Sequence, residues 1–197
     1  MHSDIMIENI NPQNSLLLTV DHHFARTPDG EVWVKAIHDG FFWEKYLSVF
    51  DRVYAVVRMK EAGYDEVKGW VLSSYPRVEF IPVTFFRGIS EFMARYLRIK
   101  KDTREAATLP QITCAIFRLP SNIGFLTLSA FRRTGKPYAL EVVTNLADTA
   151  FYTHGFFKAT AYKVWSRMLK RICLQADGVS YVTEKTIQRN YPPGKQA

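Results

Sequence analysis

Short apolar runs alternate with longer segments of helical spacing along this chain. Six of these runs have the length of a buried strand, and the segments between them carry apolar residues three and four positions apart or end in Gly and Pro. Strands that alternate with helices predict an α/β domain: a Rossmann-like, doubly wound, mostly parallel sheet with helices on both faces. The six runs are 15–20, 53–57, 78–83, 112–117, 138–143 and 178–182.

The stretch 112–143 shows the clearest strand–helix–strand pattern. A polar break that includes Arg118 and Ser121 separates its first strand from an apolar helix at 123–131, which ends in two arginines and Gly135. Because crossovers of this kind join parallel strands, we expect Arg118 and Ser121 at the carboxyl end of a strand. Open parallel sheets bind their ligands at that edge.

Four further helices are predicted, at 41–50, 89–104, 157–175 and 184–190. The helix at 89–104 has the strongest apolar stripe, formed by Ile89, Phe92, Met93, Tyr96 and Leu97. Two interpretations of it stay open, a solvated helix packed on a sheet and a helix that contacts a membrane surface. The basic residues off the apolar faces of this helix and of the helix at 157–175 are Arg95, Arg98, Lys100, Lys101, Lys163, Arg167, Lys170 and Arg171.

Composition bounds the class of protein. The 197 residues are 47% hydrophobic and 14% aromatic, which excludes a disordered chain and suits one domain with a sizeable core. A net charge of +7 suits polyanions, phosphates or an anionic membrane surface, but equally plain solubility. No apolar stretch is long enough to span a bilayer, so we expect a cytoplasmic protein. Cys114 and Cys173 lie in apolar segments and are expected to be free thiols.

Common catalytic motifs are missing from the sequence: a phosphate-binding loop, a dinucleotide fingerprint, a nucleophile elbow and cysteine pairs at zinc spacing. His22 and His23 follow the first strand in a predicted loop, 21–30; as neighbours on extended chain they point apart, which disfavours a metal site. Candidate chemistry therefore depends on position, at the strand ends. A ligand cleft there is one interpretation, and helix caps or surface charges are the other. The residues concerned are Asp21, His22, His23, Arg58, Arg87, Arg118, Ser121, Asn122, Asn145, Asp148 and Thr183.

Four segments, in this order and spacing, are similar to the N-terminal domain of GT-B glycosyltransferases of family 4. They are HDGFFWEKYLSVFDRVYAVVRM at 38–59, IFRLPSNIG at 116–124, GKPYALEVV at 135–143 and ADGVSYVTEKTIQRNYP at 176–192. The resemblance covers 15–192. One departure follows 143, where Thr144, Asn145, Leu146 and Ala147 replace the family's glycine-aspartate-proline-tryptophan.

The resemblance implies an acceptor-binding half at 15–191, after a lead-in at 1–14. It also implies an interdomain linker that begins at 192–197. Such enzymes transfer a sugar with retention of configuration and without an obligatory metal, often in bacterial surface polysaccharide synthesis. The expected partners are a lipid-linked or oligosaccharide acceptor, the chain's own C-terminal domain, and an anionic membrane at the inner face of the plasma membrane. No cofactor is expected in this domain, because the nucleotide-sugar donor binds the C-terminal half; without that half the chain is predicted to be inactive.

Under this resemblance, the candidates for a catalytic base are His22, Asp148 and His154. The expected acceptor contacts are Asp21, His23, Arg58, Arg87, Arg118, Ser121, Asn122, Glu141, Asn145 and Thr183, and no metal ligand is expected. A stand-alone α/β ligand-binding module without catalysis is the alternative. Nucleic-acid binding comes third and is not expected, because charge is its only support.

Overall fold

The computed structural model describes residues 14–35, 38–145, 156–183 and 186–194; within these, the side chains of 156–159, 161 and 162 are left aside. It contains an eight-stranded sheet flanked by helices. The strands are β1 (Ser15–Arg26), β2 (Val32–Val34), β3 (Arg52–Glu61), β4 (Val71–Leu72), β5 (Val78–Thr84), β6 (Cys114–Leu119), β7 (Tyr138–Val142) and β8 (Gly178–Tyr181). The helices are α1 (Gly40–Leu47), α2 (Gly88–Ala94), α3 (Tyr96–Ala107), α4 (Asn122–Phe131), α5 (Phe156–Cys173) and α6 (Thr186–Asn190), with 3₁₀ turns at Tyr64–Val67 and Arg132–Thr134.

The sheet order confirms the predicted fold class. Six strands pair in parallel in the order β5, β3, β1, β6, β7, β8, whereas β2 pairs antiparallel with the end of β1 and β4 pairs antiparallel with β2. Numbered along the chain, the parallel strands lie third, second, first, fourth, fifth, sixth, which is the Rossmann order. The order reverses between β1 and β6, so a ligand crevice is expected there.

Two hydrophobic cores lie on opposite faces of the sheet. In the central strand β1, Leu17 packs into one core, whereas Leu16 and Leu18 pack into the other. Helices α3, α4 and α5 contribute buried residues to the first core, and α1 contributes to the second. A parallel strand covered on both faces reads as a continuous apolar run, which explains the unbroken SLLL sequence of β1.

The predicted loop at 21–30 was wrong for residues 21–26, whereas 27–30 form a turn as predicted. Strand β1 continues to Arg26, because Phe24 and Ala25 are buried again and the end of β1 pairs with β2. The register between β1 and β3 shifts between Val20 and His23, which leaves two extra residues in β1. This bulge carries polar side chains in the middle of the strand, so hydrophobic alternation alone suggested that the strand had ended.

The single helix predicted at 89–104 was also wrong. The structure has two helices, α2 and α3, which break at Arg95, whose guanidinium donates to the carbonyl of Phe85. The predicted stripe does not face one core: on α2, Phe92 is buried but Ile89 and Met93 are exposed, and Leu97 on α3 is exposed as well.

Other boundaries moved less. Helix α1 ends at Leu47 instead of 50, β3 continues to Glu61, and β4 lies where no strand was predicted. In α5, Leu169 and Ile172 are buried. Both cysteines are free, and burial raises the pKa of Cys173 to about 12. Within the described residues, no helix combines the length and apolar character needed to cross a membrane.

A tight turn joins β6, which carries Arg118, to α4. Ser121 is the N-cap of α4, and its hydroxyl oxygen accepts from the Gly124 amide at 2.8 Å. The preceding Leu119–Pro120 peptide is cis. A Cβ atom added at Gly124 would lie 2.6 Å from the Ser121 hydroxyl and 2.8 Å from a Leu119 methyl, so only glycine fits this approach.

We predict that Ser121→Ala lowers the free energy of unfolding by about 1 kcal/mol, because α4 loses its cap. Gly124→Ala should destabilise further, but by less in the Ser121→Ala background, where the clashing hydroxyl is gone. Urea denaturation of both single variants and the double variant checks this. Ser129→Ala, at an exposed position of the same helix, serves as the control. Strictly additive losses would contradict the proposed clash.

Candidate active site

The candidate site lies where β6 leaves the edge of β1 and β2 takes its place. Strand β1 pairs with β6 from Leu16 to Thr19, and with β2 from Phe24 onward. The bulge residues Asp21 and His22 lie between these two segments. Arg118, near the end of β6, donates its backbone amide to the Thr19 hydroxyl at 3.2 Å, so it stands beside this gap.

An ion pair links the ends of β6 and β7. Arg118 and Glu141 are register partners on adjacent strands, and the Arg118 Nε lies 2.8 Å from a Glu141 carboxylate oxygen. Helix α1 supplies two more donors to this carboxylate, the Lys45 ammonium and the Tyr46 hydroxyl, each at 2.9 Å. The Glu141 side chain is buried and that of Lys45 is exposed. Three groups from two elements, β6 and α1, therefore converge on one buried charge of β7.

Electrostatics keeps this cluster in one protonation state. Burial alone would raise the pKa of Glu141, but Arg118 and the hydrogen bonds from Lys45 and Tyr46 outweigh it, so the pKa is lowered. Burial and the neighbouring carboxylate raise the pKa of Tyr46. Near pH 7 Glu141 is therefore ionised, and the Tyr46 hydroxyl stays protonated and donates a hydrogen bond to it. Glu141 is occupied with orienting Arg118, so its role is that of a positioning residue.

His38 is the second partner of Arg118. Its Nε2 lies 2.9 Å from an amino group of Arg118. A guanidinium can only donate, so Nε2 must be the acceptor and His38 must be neutral, with its proton on Nδ1. Burial, followed by His22 and Arg118, lowers the pKa of His38 to about 3, which agrees with this assignment. Phe42 packs edge-on against the His38 ring at 4.4 Å and lies 5.1 Å below the guanidinium.

His22 lies on the β1 bulge, next to this cluster. Its ring centroid lies 4.5 Å from that of His38, and the residue keeps an exposed surface. Partial desolvation, followed by the charge of Arg118, lowers the pKa of His22. The neutral, accessible imidazole of His22 can accept a proton from a hydroxyl group. The fixed guanidinium of Arg118 can hold an anionic group close to that hydroxyl.

Asp21 and Arg58 form a separate brace next to this crevice. The Arg58 Nε lies 2.8 Å from the Asp21 carboxylate, and its amino groups donate to the carbonyls of Phe86 and Asp21. The guanidinium also stacks on the Phe86 ring at 4.6 Å. Both side chains are largely buried, so they join β1, β3 and the segment after β5. His23 lies against Phe85 on this side, 5.2 Å between ring centroids.

The remaining predicted residues lie around this edge in structural roles. Ser121 caps α4, and Asn122 is the first residue of that helix. The Asn145 side chain accepts from Asn190 at 3.2 Å, and the Thr183 hydroxyl accepts from the Ile187 amide at 3.4 Å. Arg87 is exposed at the N-cap of α2. Asp148 and His154 lie outside the described residues. The basic residues Arg95, Arg98, Lys100, Lys101, Lys163, Arg167, Lys170 and Arg171 are all exposed.

Four residues of the site were missed by sequence reasoning: His38, Phe42, Lys45 and Tyr46. Periodicity cannot show that the Tyr46 hydroxyl reaches a carboxylate 95 positions away. The Asp39 N-cap, whose side chain accepts from the Phe42 amide, marks the start of α1 and was the available signal. Within the part of the chain that the structure describes, no cluster of His, Cys, Asp and Glu is suited to a metal ion.

Comparisons with known proteins add two findings. No family model matches the chain. Protein CapJ of Staphylococcus aureus is 24% identical over 153 residues, which are 76% of this chain and 37% of that protein. The chain thus spans little more than a third of this relative's length. The crystal structure of a UGT transferase from Siraitia grosvenorii in complex with UDP matches 83% of this chain and 35% of its own, at 13% identity and a TM-score of 0.38.

We predict that Glu141→Gln lowers the free energy of unfolding by about 3 kcal/mol, because it leaves the largely buried Arg118 guanidinium without its counter-charge. Chemical denaturation at pH 7 measures the loss. Glu79→Gln, at an exposed position of β5, is the matched control and should change stability by less than about 0.5 kcal/mol. A loss at position 141 no larger than that of the control would show that the ion pair does not hold this edge together.

We predict that stability falls as the pH drops below about 6.5, the ordinary pKa of histidine. His38 stays neutral in the folded state down to about pH 3 but is protonated in the unfolded chain, so unfolding takes up a proton in this window. His38→Gln keeps an acceptor for Arg118 and cannot titrate, so its stability should depend less steeply on pH. Urea denaturation between about pH 5 and 7 tests this; parallel profiles would contradict it.

Proposed function

We propose that this chain is the acceptor-binding N-terminal half of a GT-B glycosyltransferase of family 4. The observation that carries the proposal is the side-chain cluster at the switch point, where neutral His22 lies near Arg118, and Glu141 orients Arg118. The four family-like segments supply two of these groups, since IFRLPSNIG contains Arg118 and GKPYALEVV contains Glu141. Arg118 and Glu141 belong to two different family-like segments and form an ion pair. The two segments therefore contribute to one site, which supports the resemblance.

The proposed division of labour follows from the geometry. Arg118 would hold an anionic or polyhydroxyl group of the acceptor, and His22 would accept the proton of the attacking hydroxyl. Asp148 and His154 are further candidates for this base. The nucleotide sugar would bind a C-terminal domain, and transfer would proceed with retention of configuration and without an obligatory metal. The greater length of Protein CapJ leaves room in that relative for a second domain. We also propose that the protein acts in the cytoplasm, in the synthesis of a bacterial surface polysaccharide.

The isolated chain should bind acceptor without transferring sugar. We expect saturable binding of lipid-linked or oligosaccharide acceptors in titration calorimetry, and no release of nucleotide from a panel of nucleotide sugars. A full-length protein should release nucleotide only when donor and acceptor are both present. Ligand binding at the crevice without transfer by any full-length form would instead indicate a stand-alone binding module.

In a full-length enzyme, we predict that His22→Ala lowers kcat by about 10²-fold or more, the usual contribution of a general base. His23→Ala, the adjacent ring that faces Phe85, is the matched control and should keep most of the activity. Because desolvation and Arg118 lower the pKa of His22, the acid limb of the kcat/KM profile should have its midpoint below about 6.5. Equal effects of the two substitutions would rule out His22 as the base.

A further inference from the structure

A cavity lies between α4 and α5, near the last turns of both helices. Its volume is about 590 Å³, and ligand sites in proteins typically measure about 300–1,000 Å³. A smaller cavity of about 350 Å³ shares Arg132 and Gln175 with it and extends to Tyr138, at the start of β7. Both cavities therefore lie toward the amino ends of the parallel strands, whereas Arg118 lies near the carboxyl end of β6. We name the larger one the α4–α5 cavity.

The floor of the α4–α5 cavity is apolar. Leu128 of α4 and Ile172 of α5 line it and are buried in the first core. Phe125 packs against the same core and is half-buried, and Met168 lines the cavity from α5 with 37% of its surface exposed. Apolar and aromatic side chains grouped in this way offer a surface on which a flat ring can pack.

Three arginines surround this floor. Arg132 and Arg133 follow the last residue of α4 in a 3₁₀ turn, and Arg171 lies in the last turn of α5. All three line the cavity and are exposed. Among the residues that the structure describes, their guanidinium groups make no hydrogen bond or ion pair, and no acidic side chain lines the α4–α5 cavity. The cavity therefore favours a ligand with several negative charges.

Stabilisation of the helix ends does not account for this arrangement. Basic residues in the last turn of a helix are favourable, because that end carries partial negative charge. Lys170 lies in the last turn of α5 as well, but it does not line the cavity. The helix dipole thus explains a positive charge at each helix end, but not why arginines from two helices meet at one cavity.

We propose that the α4–α5 cavity binds a nucleoside diphosphate. The base packs on the apolar floor, and the phosphates accept hydrogen bonds from the three arginines. Ser129 and Gln175 also line the cavity and supply a hydroxyl and an amide for the polar edge of the base. The family resemblance implies no nucleotide in this half of the enzyme, and the proposal does not depend on the proposed transferase activity.

Titration calorimetry of the 197-residue chain tests this proposal. The probes are ADP, UDP and inorganic pyrophosphate. We expect saturable binding of at least one nucleotide. It should bind at least about five-fold more tightly than pyrophosphate, which can contact the arginines but leaves the apolar floor uncovered.

The charge contribution is isolated by a pair of variants on α5. Arg171→Gln should weaken the binding of nucleotide and of pyrophosphate at least about ten-fold, because one charge-assisted contact is lost. Lys163→Gln removes the same charge from an exposed position that does not line the cavity, about 12 Å away along the helix. At about 0.1 M salt, where the screening length is about 10 Å, it should change both affinities less than about two-fold.

The contribution of the floor is isolated by a second pair. Met168→Ser should weaken nucleotide binding at least about three-fold and leave pyrophosphate binding unchanged, because only the nucleoside contacts the floor. Val164→Ser, at a position of α5 that is 54% exposed and outside the cavity, should leave both unchanged. Circular dichroism and urea denaturation confirm that all four variants are folded.

Three results would overturn the proposal. The first is no saturable binding of either nucleotide. The second is pyrophosphate binding as tight as nucleotide binding, which would leave charge alone as the attraction. The third is an equal effect of Arg171→Gln and Lys163→Gln, or none in either, which would place any bound nucleotide outside the α4–α5 cavity.

Discussion

The carboxylate of Glu141 is the group on which this edge of the domain depends. A buried charge is costly unless it is matched, and here the match comes from strand β6 and from helix α1, which lies far away in sequence. The carboxylate therefore fixes how α1 lies on the sheet and where the Arg118 guanidinium points. That guanidinium in turn determines which nitrogen of His38 carries the proton. The charge of Glu141 thus affects the tautomer of His38, the orientation of Arg118 and the position of α1 on the sheet.

The sequence predicted the sheet and the site unequally well. The strand–helix–strand pattern at 112–143 placed Arg118 at a strand end, and parallel pairing made Glu141 its neighbour in register. Both depend on local periodicity and on general rules of topology. The roles of Tyr46 and His38 could not be predicted from the sequence, because they come from tertiary contacts between segments about 80 to 95 positions apart. The β1 bulge and the break at Arg95 were missed because in both places backbone geometry interrupts a pattern that periodicity assumes to be regular.

The continuation of β1 past its bulge also determines the thermodynamics of ligand binding. His22 is carried by a strand that is paired on both sides of the bulge, first with β6 and then with β2. A ligand that meets this side chain does not have to immobilise a flexible loop, so little conformational entropy is lost at that point of contact. Selectivity at His22 should therefore come from the fixed shape and charge of the crevice and not from an induced fit of the backbone.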